Sequence, residues 1–578
     1  MFTKPRAVTL ISFLLLFALI RSTVPATSAQ QQPRRERRVA TPGKTATPPL
    51  TPTPTPSPVP TVTPNTSPVE IPQASSQASP ASSVVALKTA TTTRSLGELQ
   101  ARISDVLRKP ALAPAMVGIK VSSLETGKVL FEENADKLLR PASNMKLYTV
   151  AAALDRLSPD YRFVTSVYAA AKPAAGGTVH GDLTIYGRGD PSIAARFNNG
   201  NYFKGIDDLA ARIIAAGVKR VEGDLVGDET YFIGPPYGAG WDWDDLQWWY
   251  GAEASALTSN DNALDLSVKP GTKVGAPAVI TTGPPDPLLT ISNRVTTVAK
   301  GSRRDLTVYR GLASDELWIS GSIAFDDKGY SGSVGISRPA LLFVYLLRSS
   351  LAQRGVTIMG KTRTVAASIA ANMKSAEPNA PALVEVTSLQ SSPLSFIAAQ
   401  TLKPSQNLYT ELILRTLGKV VAPPTTAVNT NRTSDAAGIE VVKMFLSEAG
   451  VSPPTLVLTD GSGLSRNDMV TAEATLQLLT YMNRHRYASV FRDALPIAGV
   501  DGTLRNRFKG TVAENNLRAK TGSLSSAASL SGYVTTAAGE NLVFSIMVNN
   551  FPEDVEPRAI CIDPIAVLLA SFAGKSER

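Results

Sequence analysis

Folding can begin only near residue 94. From Thr41 to about Thr93 the chain is dominated by Thr, Pro, Ser and Ala, as in Thr51-Pro52-Thr53-Pro54-Thr55-Pro56. It carries too few apolar side chains to offset the entropy of ordering its backbone. Such a stretch reads as an extended, partly polyproline spacer. About 485 residues remain from Arg94 onward, more than one hydrophobic core usually supports, so the body is expected to divide.

The residues ahead of the spacer set a compartment. Lys4 and Arg6 precede an apolar run from Ala7 to Ile20, and small residues follow at Ala26-Thr27-Ser28-Ala29. This is the layout of a cleaved secretory signal peptide over residues 1–29, followed by a disordered linker over 30–93. The expectation is an exported protein, periplasmic or extracellular. The net charge of +10 shrinks on division. Lys4, Arg6 and Arg21 leave with the signal, and the linker holds six basic and two acidic side chains, so the body keeps about +3. Nothing in so weakly basic a body points to nucleic acid. Cys561 is the single cysteine, and no His-Glu-x-x-His occurs, so neither a metal nor another cofactor is expected.

The chemistry sits on lysine. The chain has two histidines, His180 and His485, around which a Ser-His-Asp hydrolase would have to be built. A serine three positions before a lysine occurs once, at Ser143-Asn144-Met145-Lys146. Pro141 introduces a helix predicted from Ser143 to Leu157, with Leu147, Val150, Ala151 and Leu154 at the spacing of a buried face. On it Ser143 and Lys146 share one side, one turn apart. Lysine can take a serine proton only if burial or neighbouring positive charge lowers its pKa. The bland alternative is that Ser143 caps the helix and Lys146 is solvated.

Two further segments weigh against that alternative. Ser405-Gln406-Asn407 lies between helices predicted over 393–402 and 408–417. Lys520-Thr521-Gly522, the single Lys-Thr-Gly, opens a hairpin predicted from Ser523 to Thr535 and back through Leu542–Val548. Ser-x-x-Lys, Ser-x-Asn and Lys-Thr-Gly in this order occur together in serine β-lactamases and penicillin-binding proteins.

With these motifs in place the sequence resembles the penicilloyl serine transferase superfamily. The 262 residues between Ser143 and Ser405, against 115 between Ser405 and Lys520, are similar to the DacB-like D-alanyl-D-alanine carboxypeptidases and endopeptidases. Those class C low-molecular-mass penicillin-binding proteins carry a large insertion at that place. Stretches at Gly187–Pro191, Gly223–Asp228, Gly240–Asp244, Asp460–Arg466 and Gly499–Leu504 resemble the same family.

The resemblance implies an α/β fold: a β-lactamase/transpeptidase-like domain, an antiparallel sheet covered by helices, interrupted by a large, mostly β inserted region. Its parts would span 94–168 and 390–578, with accessory domains over 169–389. Inside the latter, His180-Gly181-Asp182-Leu183 and Glu222-Gly223-Asp224-Leu225 share a turn–strand pattern. The implied catalytic residues are Ser143 as nucleophile, Lys146 as base, Ser405 as proton relay, Asn407 as substrate-amide contact and anchor of Lys146, and Lys520. The last, with Thr521, would bind the terminal carboxylate and keep Lys146 neutral by its charge. Gly522 would let the strand approach the substrate, and the N–H groups of Ser143 and Ser523 would form the oxyanion hole. Asp228 and Arg466 are carried over as contacts to the stem peptide. The implied partners are peptidoglycan stem peptides, with β-lactams as covalent inhibitors. A β-lactamase or esterase on the same scaffold, or a non-catalytic peptidoglycan-binding protein, are the competing readings.

Overall fold

The computed structural model describes residues 92–284, 286–366, 383–422 and 432–576. The expected signal peptide and nearly all of the linker lie outside the described residues. Thr93, at the linker's end, is buried, and its carbonyl accepts from Ala573 N–H.

One five-stranded antiparallel sheet is built from both ends of the body. Its order is Arg518–Leu524, Ala527–Thr535, Asn541–Asn549, Met116–Ser123, Val129–Glu133. The second and third of these strands are buried along almost their whole length because helices cover both faces. Leu542, Phe544, Ile546 and Val548 face the terminal helices Leu96–Leu107 and Asp563–Ser571. Val543, Met547 and Tyr533 face the helices that carry the motifs. On that second face the small Ser529 and Ser531 lie beneath the turn before Ser143, Ser529 Oγ donating to the Pro141 carbonyl at 2.7 Å.

The expected hairpin is divided differently. Lys520-Thr521-Gly522 lies inside its own edge strand, and a two-residue turn at Ser525–Ser526 joins it to Ala527–Thr535. Two-residue turns favour Asn-Gly or Asp-Gly, and Ser-Ser hides this one from a sequence reading.

The helix Met145–Leu157 departs from its expected single buried face. Every residue from Met145 to Leu154 is buried, because neighbouring helices pack around it and the small Ala151-Ala152-Ala153 run lets them close in.

The insertion has its own sheet, ordered Thr362–Val365, Leu225–Asp228, Leu183–Tyr186, Val164–Ala169, Val384–Gln390. Helices Lys204–Ala215 and Pro339–Gln353 pack on it. This sheet extends past both expected limits, 169 and 389. Where the chain enters and leaves, Ser391 N–H donates to Phe163 O and Phe163 N–H to Ser391 Oγ, each at 2.9 Å.

The two turn–strand repeats lie side by side as parallel strands, Leu183 opposite Leu225. A third copy at Met359-Gly360-Lys361-Thr362 stacks beside them, with Gly360 N–H on Gly223 O. Farther in, two three-stranded sheets enclose a separate core of Leu264, Leu266, Val295, Leu317 and Ile319. Among the described residues no helix is long and apolar enough to cross a membrane.

Candidate active site

Ser143 sits in a 3₁₀ turn, Ala142–Asn144, directly before the helix that carries Lys146. It is not a capping residue. Its Oγ lies 2.9 Å from Lys146 Nζ. The turn is tight, with Ala142 at φ 48°, and is gripped from two sides. A Cβ at Gly463 would collide with the Ala142 carbonyl, and one at Gly522 with Ser529 Oγ and the Pro141 carbonyl. Gly522 is therefore required by the protein's own backbone. Asn144 Nδ2 donates to Ser531 Oγ at 2.9 Å, which pins the turn to the sheet below.

Lys146 has no exposed surface. Its Nζ also lies 2.6 Å from Asn407 Oδ1 and 2.7 Å from the Ser462 carbonyl oxygen. Burial pushes the ammonium down to about 7, against the pull of Asp460, Glu411 and Asp468. Of the two expected causes, burial and a neighbouring positive charge, burial is the one that lowers Lys146.

Ser405 adopts φ 64°, a left-handed conformation that costs a side-chain-bearing residue about 1–2 kcal/mol. Gln406 then caps the following helix, its Oε1 accepting from Leu408 N–H. Two consequences follow: Ser405 Oγ accepts from Lys520 Nζ at 2.7 Å, and Asn407, in the first turn of the helix, reaches Lys146. Asn407 is held from its other end, Nδ2 donating to the Tyr250 carbonyl at 2.8 Å. Tyr250 belongs to the inserted region, so the insertion touches the centre directly.

Lys520 is as buried as Lys146 and also donates to the Thr521 carbonyl. Burial, then the charge of Lys146, hold it well below the ordinary lysine value. Thr521 Oγ1 donates to Thr503 Oγ1 at 2.8 Å, which brings the Gly499–Leu504 stretch beside the motif strand. Ala519 N–H points away from the sheet, to the Pro496 carbonyl. By the alternation of an unbroken antiparallel ladder, the N–H groups of Thr521 and Ser523 face the same open edge. The geometry thus brings Ser143, Lys146 and Asn407 into one chain of contacts and pairs Ser405 with Lys520 beside it, close enough for the charge of Lys146 to act on Lys520.

Asp228 and Arg466 are placed apart from that chain. The Asp228 carboxylate accepts from Thr230 N–H at 2.9 Å, closing its own turn at the end of an insertion strand. Arg466 is engaged by Asp242 and Asp245, at 3.0 and 3.1 Å, and its N–H donates to the Gly240 carbonyl. In the tryptophan-rich stretch, Trp241 donates to Asp460 at 2.7 Å while Trp243 is 69% exposed. Neither histidine contacts Ser143: His485 is on Asp155 and His180 on Glu222.

Sequence reasoning missed the groups behind Lys146. Glu411 and Asp468 are fully buried; burial pushes Glu411 up to about 8 and, with Asp460, holds Asp468 well above the ordinary carboxylate range. The Ser462 and Tyr250 carbonyls are backbone atoms that any residue supplies, so no residue type advertises them. The Asp460–Arg466 stretch was the available signal.

Comparison with known proteins decides the family. The profile of the D-Ala-D-Ala carboxypeptidase 3 (S13) family matches residues 99–572. The chain belongs to that family. It is accordingly an enzyme, a serine-type D-Ala-D-Ala carboxypeptidase. The D-alanyl-D-alanine carboxypeptidase of Actinomadura sp. strain R39 is 36% identical over 500 residues, 85% of this chain and 87% of the relative. The D-alanyl-D-alanine carboxypeptidase DacB of Haemophilus influenzae is 25% identical over 447 residues, 75% and 85% of the two chains. The crystal structure of penicillin binding protein 4 (dacB) from Haemophilus influenzae shares the fold. Its TM-score is 0.68 at 22% identity, over 82% of this chain and 99% of that one.

Proposed function

We propose that this S13 carboxypeptidase removes the terminal D-alanine of peptidoglycan stem peptides through a Ser143 acyl-enzyme. The observation that carries the reading is a buried lysine, lowered to about 7, lying 2.9 Å from a serine hydroxyl and touching two groups that only accept. Lys146 takes the Ser143 proton as Oγ attacks the penultimate D-alanyl carbonyl, and the resulting oxyanion meets the N–H groups of Ser143 and Ser523. The C–N bond then breaks, and the leaving amine receives a proton relayed through Ser405. Water hydrolyses the ester and returns the hydrogen to Ser143.

Lys520, with Thr521, receives the terminal carboxylate. An incoming carboxylate favours the ammonium that burial disfavours, so binding charges Lys520 and, by repulsion, helps keep Lys146 neutral. Asn407 contacts the substrate amide while holding Lys146. Cross-linked peptides present the same D-alanyl carbonyl with a different amine, so D,D-endopeptidase cleavage uses the same steps. Asp228 is assigned the ammonium of the stem peptide's diamino acid, and Arg466 the placement of the Trp241–Asp245 loop beside the cleft. The leader over 1–29 and the spacer over 30–93 fit export.

β-Lactams are assigned as covalent inhibitors, since they offer a strained amide and a carboxylate in the same relation. Labelled penicillin is expected on the peptide containing Ser143, and Ser143→Ala is expected to lose both the label and release of D-alanine. Label retained by that variant would remove Ser143 as the nucleophile.

A further inference from the structure

A neutral primary amine has two N–H bonds and one lone pair. For Lys146 to accept the Ser143 proton, that lone pair must face Oγ. Nζ has three polar neighbours, and two of them, Asn407 Oδ1 and the Ser462 carbonyl, have no hydrogen to give. They take the two N–H groups, and the direction left over is the serine. The Ser462 carbonyl is therefore half of the aiming device.

That carbonyl is fixed by a loop wound around one buried carboxylate. Asp460 Oδ1 accepts from Gly463 N–H at 2.6 Å, and Oδ2 from Leu464 N–H and Ser465 N–H at 3.1 Å and Ser462 Oγ at 2.8 Å. The fifth donor is Trp241 Nε1 at 2.7 Å, from the inserted region. Gly461 is clamped in turn, its N–H on Glu411 Oε1 and its carbonyl on Thr149 Oγ1. We propose that Asp460 is a positioning residue that aims the lone pair of Lys146 through the Ser462 carbonyl, with Trp241 drawing the inserted region into the device. The proposal rests on the reading of Lys146 as the base.

The charges fix a sign. Facing Lys146 are Asp460 and Asp468 from the loop, Glu411 with Arg415 behind it from the helix Asn407–Val420, and Lys520 from the edge strand. Burial favours the protonated forms of Glu411 and Asp468, and the charge of Asp460 raises the proton affinity of Lys146. Removing the Asp460 charge therefore lowers the proton affinity of Lys146. Removing the Trp241 donor leaves that charge less dispersed and raises it.

The test is the rate of acylation by a fluorescent penicillin, followed across pH for wild type, D460N, W241F and K146R, with thermal melts to establish folding. D460N is expected to acylate about 10- to 100-fold more slowly, with its acidic limb displaced to lower pH. W241F is expected to lose about 3- to 10-fold, with the limb displaced to higher pH. A merely structural loop would slow both variants without displacing the limbs in opposite directions. Equal limbs, or limbs moving the same way, overturn the proposal, and W241F against wild type decides it if D460N does not fold. K146R acylating at the wild-type rate would remove lysine as the base. An inert K146R beside a D460N that matches wild type would sink the positioning role alone.

Discussion

Arg363 and Lys146 are both held by groups brought from elsewhere in the chain, yet the two regions treat charge in opposite ways. In the insertion, Arg363 bridges Asp182 and Asp224 across the stacked turns, at 2.7 and 2.8 Å, with all three side chains open to solvent. The ion pairing raises the guanidinium and lowers Asp224, so each charge is reinforced by its partner. In the catalytic layer Lys146, Lys520, Glu411, Asp460 and Asp468 are all buried. There the two lysines are pushed down and Glu411 and Asp468 up, so four groups stand in environments that resist their ordinary charge. Exposed pairs contribute little to stability and nothing to reactivity, whereas charge kept against desolvation yields a neutral amine near neutral pH.

The sharpest break of this contrast is at Lys146. Lys146→Arg keeps positive charge but supplies no neutral base, since guanidinium stays protonated. Acylation by penicillin is expected to fall by orders of magnitude while the thermal melt persists. In the wild type the limb carries a sign. A base lowered to about 7 is protonated below that pH, so acylation should rise with pH through the region around 7 and then level. A limb near the ordinary lysine value would mean that burial does not set the base.

Lys520 sharpens the comparison within the catalytic layer. Lys520→Ala is expected to slow hydrolysis of peptides with a free terminal carboxylate more than that of their amidated analogues. Equal losses on both would leave the lysine a purely internal donor to Ser405.

Asp228 tests whether the insertion's charges stay outside the chemistry. Asp228→Asn should leave penicillin acylation nearly unchanged. It should weaken cleavage of peptides bearing a side-chain amine by roughly 1–3 kcal/mol, the scale of a lost charge-assisted contact. A uniform loss across penicillin and peptides with and without the amine would show that Asp228 only closes its own turn.

The smallest effect is expected at Arg363. Arg363→Ala removes an exposed bridge, so the melting temperature should stay within about 2 °C of wild type and acylation should not change. A larger drop would mean that the stacked turns depend on that bridge.

The sequence carried the order and spacing of Ser143, Lys146, Ser405, Asn407, Lys520 and their motifs, because those roles require particular side chains at short fixed spacing. It carried the helix after Pro141 and the return strand Leu542–Val548, since their apolar runs are long. Two of the three stacked turns were legible as His180-Gly181-Asp182-Leu183 and Glu222-Gly223-Asp224-Leu225; the third, Met359-Gly360-Lys361-Thr362, shares only the glycine. Tertiary structure alone decided what reaches Lys146. The Ser462 and Tyr250 carbonyls come from the backbone, and the buried acids on Glu411 and Asp468 are ordinary charged residues until packing removes their water. A proton affinity belongs to an environment assembled from segments hundreds of residues apart, and no local pattern encodes it.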